Sequence, residues 1–213
     1  LLASSAASDV YKRQTHEFTN KLHVILGLLQ LGENRQAEEY VLRLTKTRAH
    51  SISYISERIQ EPSVAALLIG KSYRAAELGI RFVLDPASEL RGDGQYLPAS
   101  SLITILGNLT ENAFDALRSA PENAQKEVTV SIREGEHGML LSVDDSGAGM
   151  AAPQLDRIFE RGFSTKGEGR GTGLSLVKET VDAFGGTIRV ESEPGIGSSF
   201  IITFSDAESR AQT

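Results

Sequence analysis

Three side chains that can offer oxygen ligands recur within residues 108–115. Asn108, Asn112 and Asp115 are separated by four and three residues, so on a helix they lie on one face. Amide and carboxylate oxygens are the ligands that Mg²⁺ prefers, together with several waters. The spacing predicts either a magnesium site or an ordinary solvated helix face, and taken alone it favours the solvated face.

An acidic, glycine-containing loop occupies residues 144–150, with the sequence Asp-Asp-Ser-Gly-Ala-Gly-Met. The carboxylate of Asp145 can accept a hydrogen bond from an exocyclic amine. Gly147 and Gly149 let the backbone turn close to a flat ring, because glycine has no Cβ. The loop therefore fits recognition of an amine-bearing ring, and a plain tight turn is the alternative.

Glycine recurs at alternate positions just before a predicted helix. The residues are Gly167, Gly169, Gly171 and Gly173. Free backbone N–H groups at a helix N-terminus are a common way to hold polyphosphate. The run is neither a Walker A motif nor part of a dinucleotide-binding βαβ unit, and a flexible linker is the alternative. The preceding segment, Ile158–Lys166, has about the length of a lid.

One histidine stands beside a carboxylate near the start of the chain. The spacing predicts that His16 lies on the flank of an apolar helical stripe and reaches solvent, and Glu17 follows it directly. Glu17 can accept a proton from one imidazole nitrogen and leave the other with the lone pair that a nucleophile needs. A surface histidine without such a role is the alternative, and it is the commoner case for a lone histidine.

The sequence around and after His16 predicts two amphipathic helices, and His16 lies on the first of them. The apolar residues of the first are spaced by four, three and four: Phe18, Leu22, Ile25 and Leu29. A second seam ends before Pro62: Val41, Leu44, Arg48, Ser51, Ile55 and Ile59. Residues 32–34 break the pattern, so the two helices form an α-hairpin. Because two helices cannot enclose a core alone, we expect a homodimer that forms a four-helix bundle.

The other candidate residues lie where helices alternate with strands. Periodicity predicts helices over 64–78, from Pro98 to Ala116 and over 174–184. Alternation predicts a short strand over 80–84 and two hairpins, with turns at 135–138 and 194–197. Two hairpins and three helices imply one mixed sheet with helices on one face. The predicted fold class is therefore α+β, a two-helix hairpin followed by a two-layer α/β sandwich.

The amino-acid composition excludes several classes of function and several kinds of site. The 213 residues are 40% hydrophobic and 23% charged, as in a folded protein. The formal net charge is 22 − 28 = −6, so no nucleic-acid partner is expected. The absence of cysteine excludes disulfides, thiolate zinc sites and cysteine nucleophiles. No apolar stretch reaches the roughly 18 residues of a membrane span. Residues 1–14 resemble a translated adaptor tail and are expected to be a non-native or disordered extension.

The order of these groups resembles the histidine-kinase branch of the GHKL ATPases. The segments similar to that family's boxes are 108–116 (N box), 145–149 (G1 box), 158–166 (F box), 169–174 (G2 box) and 194–200 (last glycine box). Residues 15–23 and 27–32 resemble the H box of the citrate and four-carbon-dicarboxylate sensor kinases. No proline follows His16 at the usual place, which agrees with that subfamily. The resemblance covers residues 15–204.

The resemblance implies roles in phosphotransfer. His16 would be the phosphoacceptor, Glu17 its acid/base partner, and Asn20 the residue that places water for dephosphorylation. A flexible joint near Glu61–Pro62 would let bound ATP approach His16. Such a protein acts as a homodimer and passes its phosphate to an aspartate of a response regulator.

The resemblance also implies which residues bind ATP and Mg²⁺. Asn112 would bind Mg²⁺, with Asn108 and Asp115 supporting it directly or through water. Asp145 would read adenine in a pocket shaped by Gly147 and Gly149. Either Lys166 or Arg170 would contact the γ-phosphate. The segment that closes over the phosphates would consist of Gly169, Arg170, Gly171, Thr172, Gly173 and Leu174.

The expected organisation therefore has an extension over 1–14, dimerisation and phosphotransfer helices over 15–61, an ATP-binding catalytic domain over 62–205 and a tail over 206–213. The sensor module and membrane spans of such receptors are expected upstream, which makes this the cytoplasmic portion of a membrane-anchored bacterial sensor kinase. One alternative is a GHKL ATPase that drives a conformational clamp, but it would have no use for His16 and Glu17. Another is a phosphotransfer or docking protein, which would not need the glycine-containing loops.

Overall fold

The computed structural model describes residues 22–45, 50–92, 94–118, 125–163 and 172–205. Packing divides the chain into two compact units, Leu1–Ala49 and His50–Thr213. The C-terminal part of the second predicted seam therefore packs within the second unit. The functional boundary at residues 61 and 62 stays a prediction.

The described part of the first unit is helical. Helix α1 covers residues 22–30 and helix α2 covers Asn34–Thr45. The N–H of Glu33 donates to the carbonyl of Leu28, and the N–H of Gly32 donates to that of Leu29. These two bonds and the positive φ of Gly32 (75°) form a Schellman motif. The predicted break between the helices is therefore confirmed, and the homodimer stays a prediction.

The second unit contains further helices, which are α3 (His50–Arg58), α4 (Pro62–Glu77), α5 (Ala99–Arg118), α6 (Ala152–Leu155) and α7 (Gly173–Ala183). Helices α4 and α7 end in the same pair of bonds as α1, at Gly79 and Gly185. None of the described helices combines the length and the apolar character that a membrane crossing requires.

The strands of the second unit form one mixed sheet. They are β1 (Arg81–Leu84), β2 (Glu127–Glu134), β3 (Gly138–Asp145), β4 (Thr187–Glu193) and β5 (Gly197–Ser205). Their spatial order is β1-β2-β3-β5-β4, with β1 parallel to β2 and the other pairs antiparallel. Both predicted hairpins are confirmed.

The core lies between the sheet and three helices. Helix α5 packs on β2 and β3, α4 packs on β1, and α7 packs on β4 and α5. Ala116, expected in the buried stripe of α5, is half-buried. It lies beside the loop after β3, since a Cβ on Gly147 would be 2.8 Å from the Cβ of Ala116. The C-terminal part of α5 instead buries Phe114 and Leu117. The two-layer α/β sandwich is confirmed.

The junction between α3 and α4 is bonded to a neighbouring loop. The N–H of Gln60 donates to the carbonyl of Leu90 (2.8 Å), and the N–H of Leu90 donates to that of Arg58 (2.9 Å). Ile59 and Leu90 are both buried. The flexible joint expected near Glu61–Pro62 is therefore not found there, because backbone pairing and burial hold this segment within the second unit.

Candidate functional site

On β3, β5 and β4 the core-facing side of the sheet becomes polar in one row of residues. The strand register aligns Val128, Asp145, Ser198 and Ser192 across β2, β3, β5 and β4. The preceding row is apolar: Val130, Val143, Phe200 and Val190. Alternate residues of a strand share a face, so the Asp145 row lies on the same side as the helices. This row ends the core and begins a polar site at the end of the sheet.

The loop after β3 holds the carboxylate of Asp145. Its Oδ1 accepts a hydrogen bond from the N–H of Gly147 at 2.8 Å. A Cβ on residue 147 would lie 2.6 Å from that oxygen and 2.8 Å from the Cβ of Ala116. Any side chain at this position would therefore displace either the carboxylate or the loop. The predicted pair of Asp145 and Gly147 lies together as expected from the sequence.

The loop at residues 146–150 and the turn between β4 and β5 interlock beside Asp145. Gly149 has a φ of 64°, and a Cβ on it would collide with the carbonyl oxygen of Glu193. Gly197 has a φ of 144°, and a Cβ on it would collide with the carbonyl oxygen of Asp145. Each backbone segment therefore fits only because its neighbour has a glycine at the point of contact.

The N-terminus of α7 faces the polar side of α5. The Oδ1 of Asn108 lies 2.9 Å from the position that a Cβ on Gly173 would take. The Nδ2 of Asn108 donates to the carbonyl of Thr104 at 2.7 Å, which fixes the amide with its oxygen towards α7. In the described part of the chain, the side chain of Thr172 does not cap this end of α7. A helix start of this kind favours an anion.

Asn112 and Asp115 lie further along the same helix. Asp115 Oδ1 is 3.4 Å from Nη1 of Arg118, and among the described residues Nδ2 of Asn112 is buried without a hydrogen-bond partner. No group of three His, Asp or Glu side chains within those residues can hold a metal ion. A Mg²⁺ ion here would combine one or two protein oxygens with waters and phosphate oxygens, which is its usual coordination. The side-chain oxygens of Asn108, Asn112 and Asp115 are ligands of the kind that Mg²⁺ prefers.

A groove of about 410 Å³ opens beside Asp145. Strand and turn residues line it: Asp144, Asp145, Glu191, Ser192, Glu193, Ile196, Gly197, Ser198 and Ser199. The charged members of this lining are acidic and would repel a polyphosphate. Asp144, Glu191 and Ser199 form the row next to that of Asp145 and lie on the opposite sheet face, so the groove takes in both faces of the sheet end. On the helix-facing side, the carboxylate of Asp145 offers a hydrogen-bond acceptor suited to a base, and the start of α7 beside Asn108 favours phosphates.

Part of the predicted site lies outside the described residues. These residues are His16, Glu17, Asn20, Lys166, Gly169, Arg170 and Gly171. Thr172, Gly173 and Leu174 are described, and they form the start of α7. The individual roles of all these residues stay predictions.

Ser192 and Ser198 are site residues that belong to none of the sequence motifs. Their hydroxyl groups lie 3.0 Å apart, on the same row as Asp145. Alternation within β4 and β5 was the available signal, because it places both on the core-facing side. Their alignment with Asp145 depends on the register of three strands, which local sequence patterns do not determine.

Sequence and structure comparisons identify relatives. Residues 98–208 match the family described as histidine kinase-, DNA gyrase B-, and HSP90-like ATPase. Residues 4–57 match the alpha-helical domain of the SpoOB-type sensor kinases. The chain is 43% identical over 196 residues to the sensor histidine kinase DcuS of Escherichia coli K12, covering 92% of this chain and 35% of that protein. It is 40% identical over 205 residues to the sensor protein CitS of Halalkalibacterium halodurans, covering 95% and 38%.

The fold also matches solved histidine kinases. Full-length ShkA in complex with AMPPNP superposes with a TM-score of 0.56 at 26% identity, covering 90% of this chain and 45% of that one. This chain therefore spans little more than a third of the length of its sequence relatives. The ATPase match alone takes in 111 of the 213 residues. The chain belongs to the histidine kinase-, DNA gyrase B- and HSP90-like ATPases, in the branch of the sensor histidine kinases, and its second unit is a nucleotide-binding domain.

Proposed function

We propose that this chain is the catalytic part of a sensor histidine kinase that transfers the γ-phosphoryl group of ATP to His16 and then to an aspartate of a response regulator. The observation that carries the proposal is Asp145, whose carboxylate lies at the end of the core-facing side of β3 and accepts a hydrogen bond from Gly147. The match of residues 4–57 to a sensor-kinase helical domain favours this function over a clamp-type ATPase.

Asp145 would recognise adenine. Its carboxylate accepts hydrogen bonds only, so it complements the exocyclic amine of adenine and not the carbonyl oxygen of guanine. Gly147 and Gly149 leave the backbone free of side chains beside the ring. The phosphates would lie towards Gly173 and Asn108, where the start of α7 favours negative charge. Lys166 or Arg170 would contact the γ-phosphate.

Mg²⁺ would be held by Asn112, with Asn108 and Asp115 supporting it directly or through water. When bound, the ion neutralises negative charge on the phosphates. Phosphoryl transfer depends mainly on positioning and charge neutralisation. Asn108, Asn112 and Asp115 of α5 would therefore act by orienting the nucleotide.

His16 would be the nucleophile. An imidazole with a reference pKa of about 6.5 is largely neutral at pH 7 and keeps one lone pair. The bond between a His16 nitrogen and the γ-phosphorus forms while the bond to the leaving oxygen of ADP breaks. Glu17 accepts the proton from the other imidazole nitrogen. Asn20 would place the water that later hydrolyses the phosphorylated regulator.

The assembly would be a homodimer through the helices of the first unit. Large apolar side chains of α1 and its turn are exposed in the single chain: Leu22, Val24, Leu26, Leu29 and Leu31. Leu22, Leu26 and Leu29 share one helical face, and burial of that face against a second copy would remove it from water. The relatives are longer than this chain, and we propose that it is the cytoplasmic portion of a membrane-anchored receptor.

Incubation with γ-labelled ATP and Mg²⁺ tests the proposed activity. We expect the protein to acquire label that survives base and is lost in acid, as a phosphoramidate bond to histidine requires. Release of labelled inorganic phosphate without any protein-bound label would instead support the clamp-type ATPase. Label that survives acid would place the phosphate on a hydroxyl group and contradict the proposal.

Replacement of Asp145 by Asn should remove adenine recognition. The variant loses a charge-assisted hydrogen bond of about 1.5–3 kcal/mol, so ATP binding should weaken roughly ten- to over a hundredfold. Titration calorimetry with Mg·ATP measures the change, and GTP should bind poorly to the wild type. Asp144→Asn is the matched control, because Asp144 is the neighbouring carboxylate on the opposite sheet face, where it accepts from Ser142. Equal affinity of the wild type for ATP and GTP would contradict this role.

A further inference from the structure

The hydroxyl group of Ser192 joins the two segments that interlock beside Asp145. Its Oγ accepts a hydrogen bond from the N–H of Met150 at 2.8 Å and donates to the carbonyl of Gly197 at 2.9 Å. It also lies 3.0 Å from Oγ of Ser198. One side chain therefore contacts the end of the loop after β3, the start of β5 and a residue paired with Asp145.

These three contacts use the full capacity of a hydroxyl group, which has one donor and two acceptor positions. The donor of Ser192 is directed to Gly197, and the N–H of Met150 takes one acceptor position. Ser198 must therefore donate to Ser192. The resulting chain of bonds has a fixed direction, from Ser198 and Met150 through Ser192 to Gly197.

The chain of hydrogen bonds begins and ends at residues that contact Asp145. Gly197 lies against the carbonyl oxygen of Asp145, and Ser198 is the β5 partner of Asp145 in the sheet. Ser198 is buried and Ser192 is half-buried, so water replaces these bonds poorly. If Ser192 loses its hydroxyl group, Met150 and Gly197 lose their shared partner, and the segments on both sides of Asp145 can separate.

We infer that Ser192 is a positioning residue for base selectivity: it fixes the loop and the turn that hold Asp145 against the adenine amine. This inference rests on the proposed function. It does not require Ser192 to touch the nucleotide. It predicts that the hydroxyl group affects binding of a purine with an amine much more than binding of a purine without one.

The test compares ATP with inosine triphosphate, which carries a carbonyl oxygen in place of the amine. Ser192→Ala should weaken Mg·ATP binding about tenfold in titration calorimetry, the loss of about one hydrogen bond. Binding of inosine triphosphate should change by less than about twofold. In the labelling assay KM for ATP should rise with kcat unchanged, as for loss of uniform binding. Ser192→Thr keeps the hydroxyl group and should restore ATP affinity.

Thr187→Val is the matched control. It removes a hydroxyl pair between the same two strands, Thr187 with Thr203 at 2.6 Å, at the end of the hairpin away from Asp145. An equal loss of ATP affinity in this control, or equal loss of both nucleotides in Ser192→Ala, would reduce Ser192 to a structural role and overturn the inference. So would unchanged ATP binding in Ser192→Ala while Asp145→Asn loses it. Unchanged binding in Asp145→Asn itself would instead overturn the proposed adenine site.

Discussion

His16→Gln is expected to abolish the acid-labile, base-stable label while ATP binding stays near the wild-type value. A glutamine amide nitrogen has no available lone pair, so it cannot form the bond to phosphorus that an imidazole nitrogen forms. The nucleotide site is built from residues of the second unit, and the substitution leaves all of them in place. The measurement is label per protein after incubation with Mg·ATP, with calorimetry for nucleotide binding.

His23→Gln is the matched control for that experiment. His23 is exposed on α1, and in the helix predicted from the sequence a spacing of seven residues would put it on the face of His16. It should keep the full label. Label that persists in His16→Gln and maps to His23 or His50 would show that the phosphoacceptor is assigned to the wrong residue.

The helices and hairpins of the fold could be predicted because residues close in sequence mark where each of them ends. Gly32 and Gly79 each follow an amphipathic helix, and each supplies the positive φ that the end of the helix uses. The two hairpins could also be predicted, because alternating apolar residues flank turns rich in glycine. These signals involve residues only a few positions apart, so no knowledge of the tertiary structure is needed.

The candidate site could be predicted as a set of residues but not as an arrangement. The type of residue and its place after a strand were enough to single out Asp145. The collision that a side chain at Gly197 would cause involves the carbonyl oxygen of a residue 52 positions earlier, Asp145. Only the pairing of β3 with β5 brings these two together. The supporting serines were missed for the same reason.

The junction between α3 and α4 shows a different limit. Pro62 correctly marks the start of a helix, and a joint before it was a natural expectation. What holds the junction is Leu90, some thirty residues later, through two backbone hydrogen bonds that no side-chain pattern encodes. A helix boundary in sequence therefore does not identify a hinge, because rigidity depends on which backbone groups find partners.

Gly197→Ala should have the largest effect on nucleotide binding among substitutions in the second unit. The added Cβ would meet the carbonyl oxygen of Asp145, and a φ of 144° is itself strained for alanine. Because the obstacle is backbone, no side-chain rotation relieves it. The turn must move away from β3, which breaks the pairing of Asp145 with Ser198. We expect ATP affinity to fall at least about a hundredfold, equal to about 2.7 kcal/mol, as measured by calorimetry with Mg·ATP.

Gly195→Ala separates this effect from the general cost of alanine at a positive φ. Gly195 lies in the same turn with a φ of 83° and has nothing within 4 Å of its Cβ position. Its N–H donates to the carbonyl of Ala148 at 2.8 Å, a bond that alanine keeps. This control should lose about 1–2 kcal/mol of unfolding free energy and bind ATP within a few-fold of wild type. Circular dichroism should show that both variants stay folded, because the rest of the β3–β5 pairing, up to Gly138 with Ser205, is untouched. Equal ATP affinities in the two variants would mean that contact with the Asp145 backbone does not govern nucleotide binding.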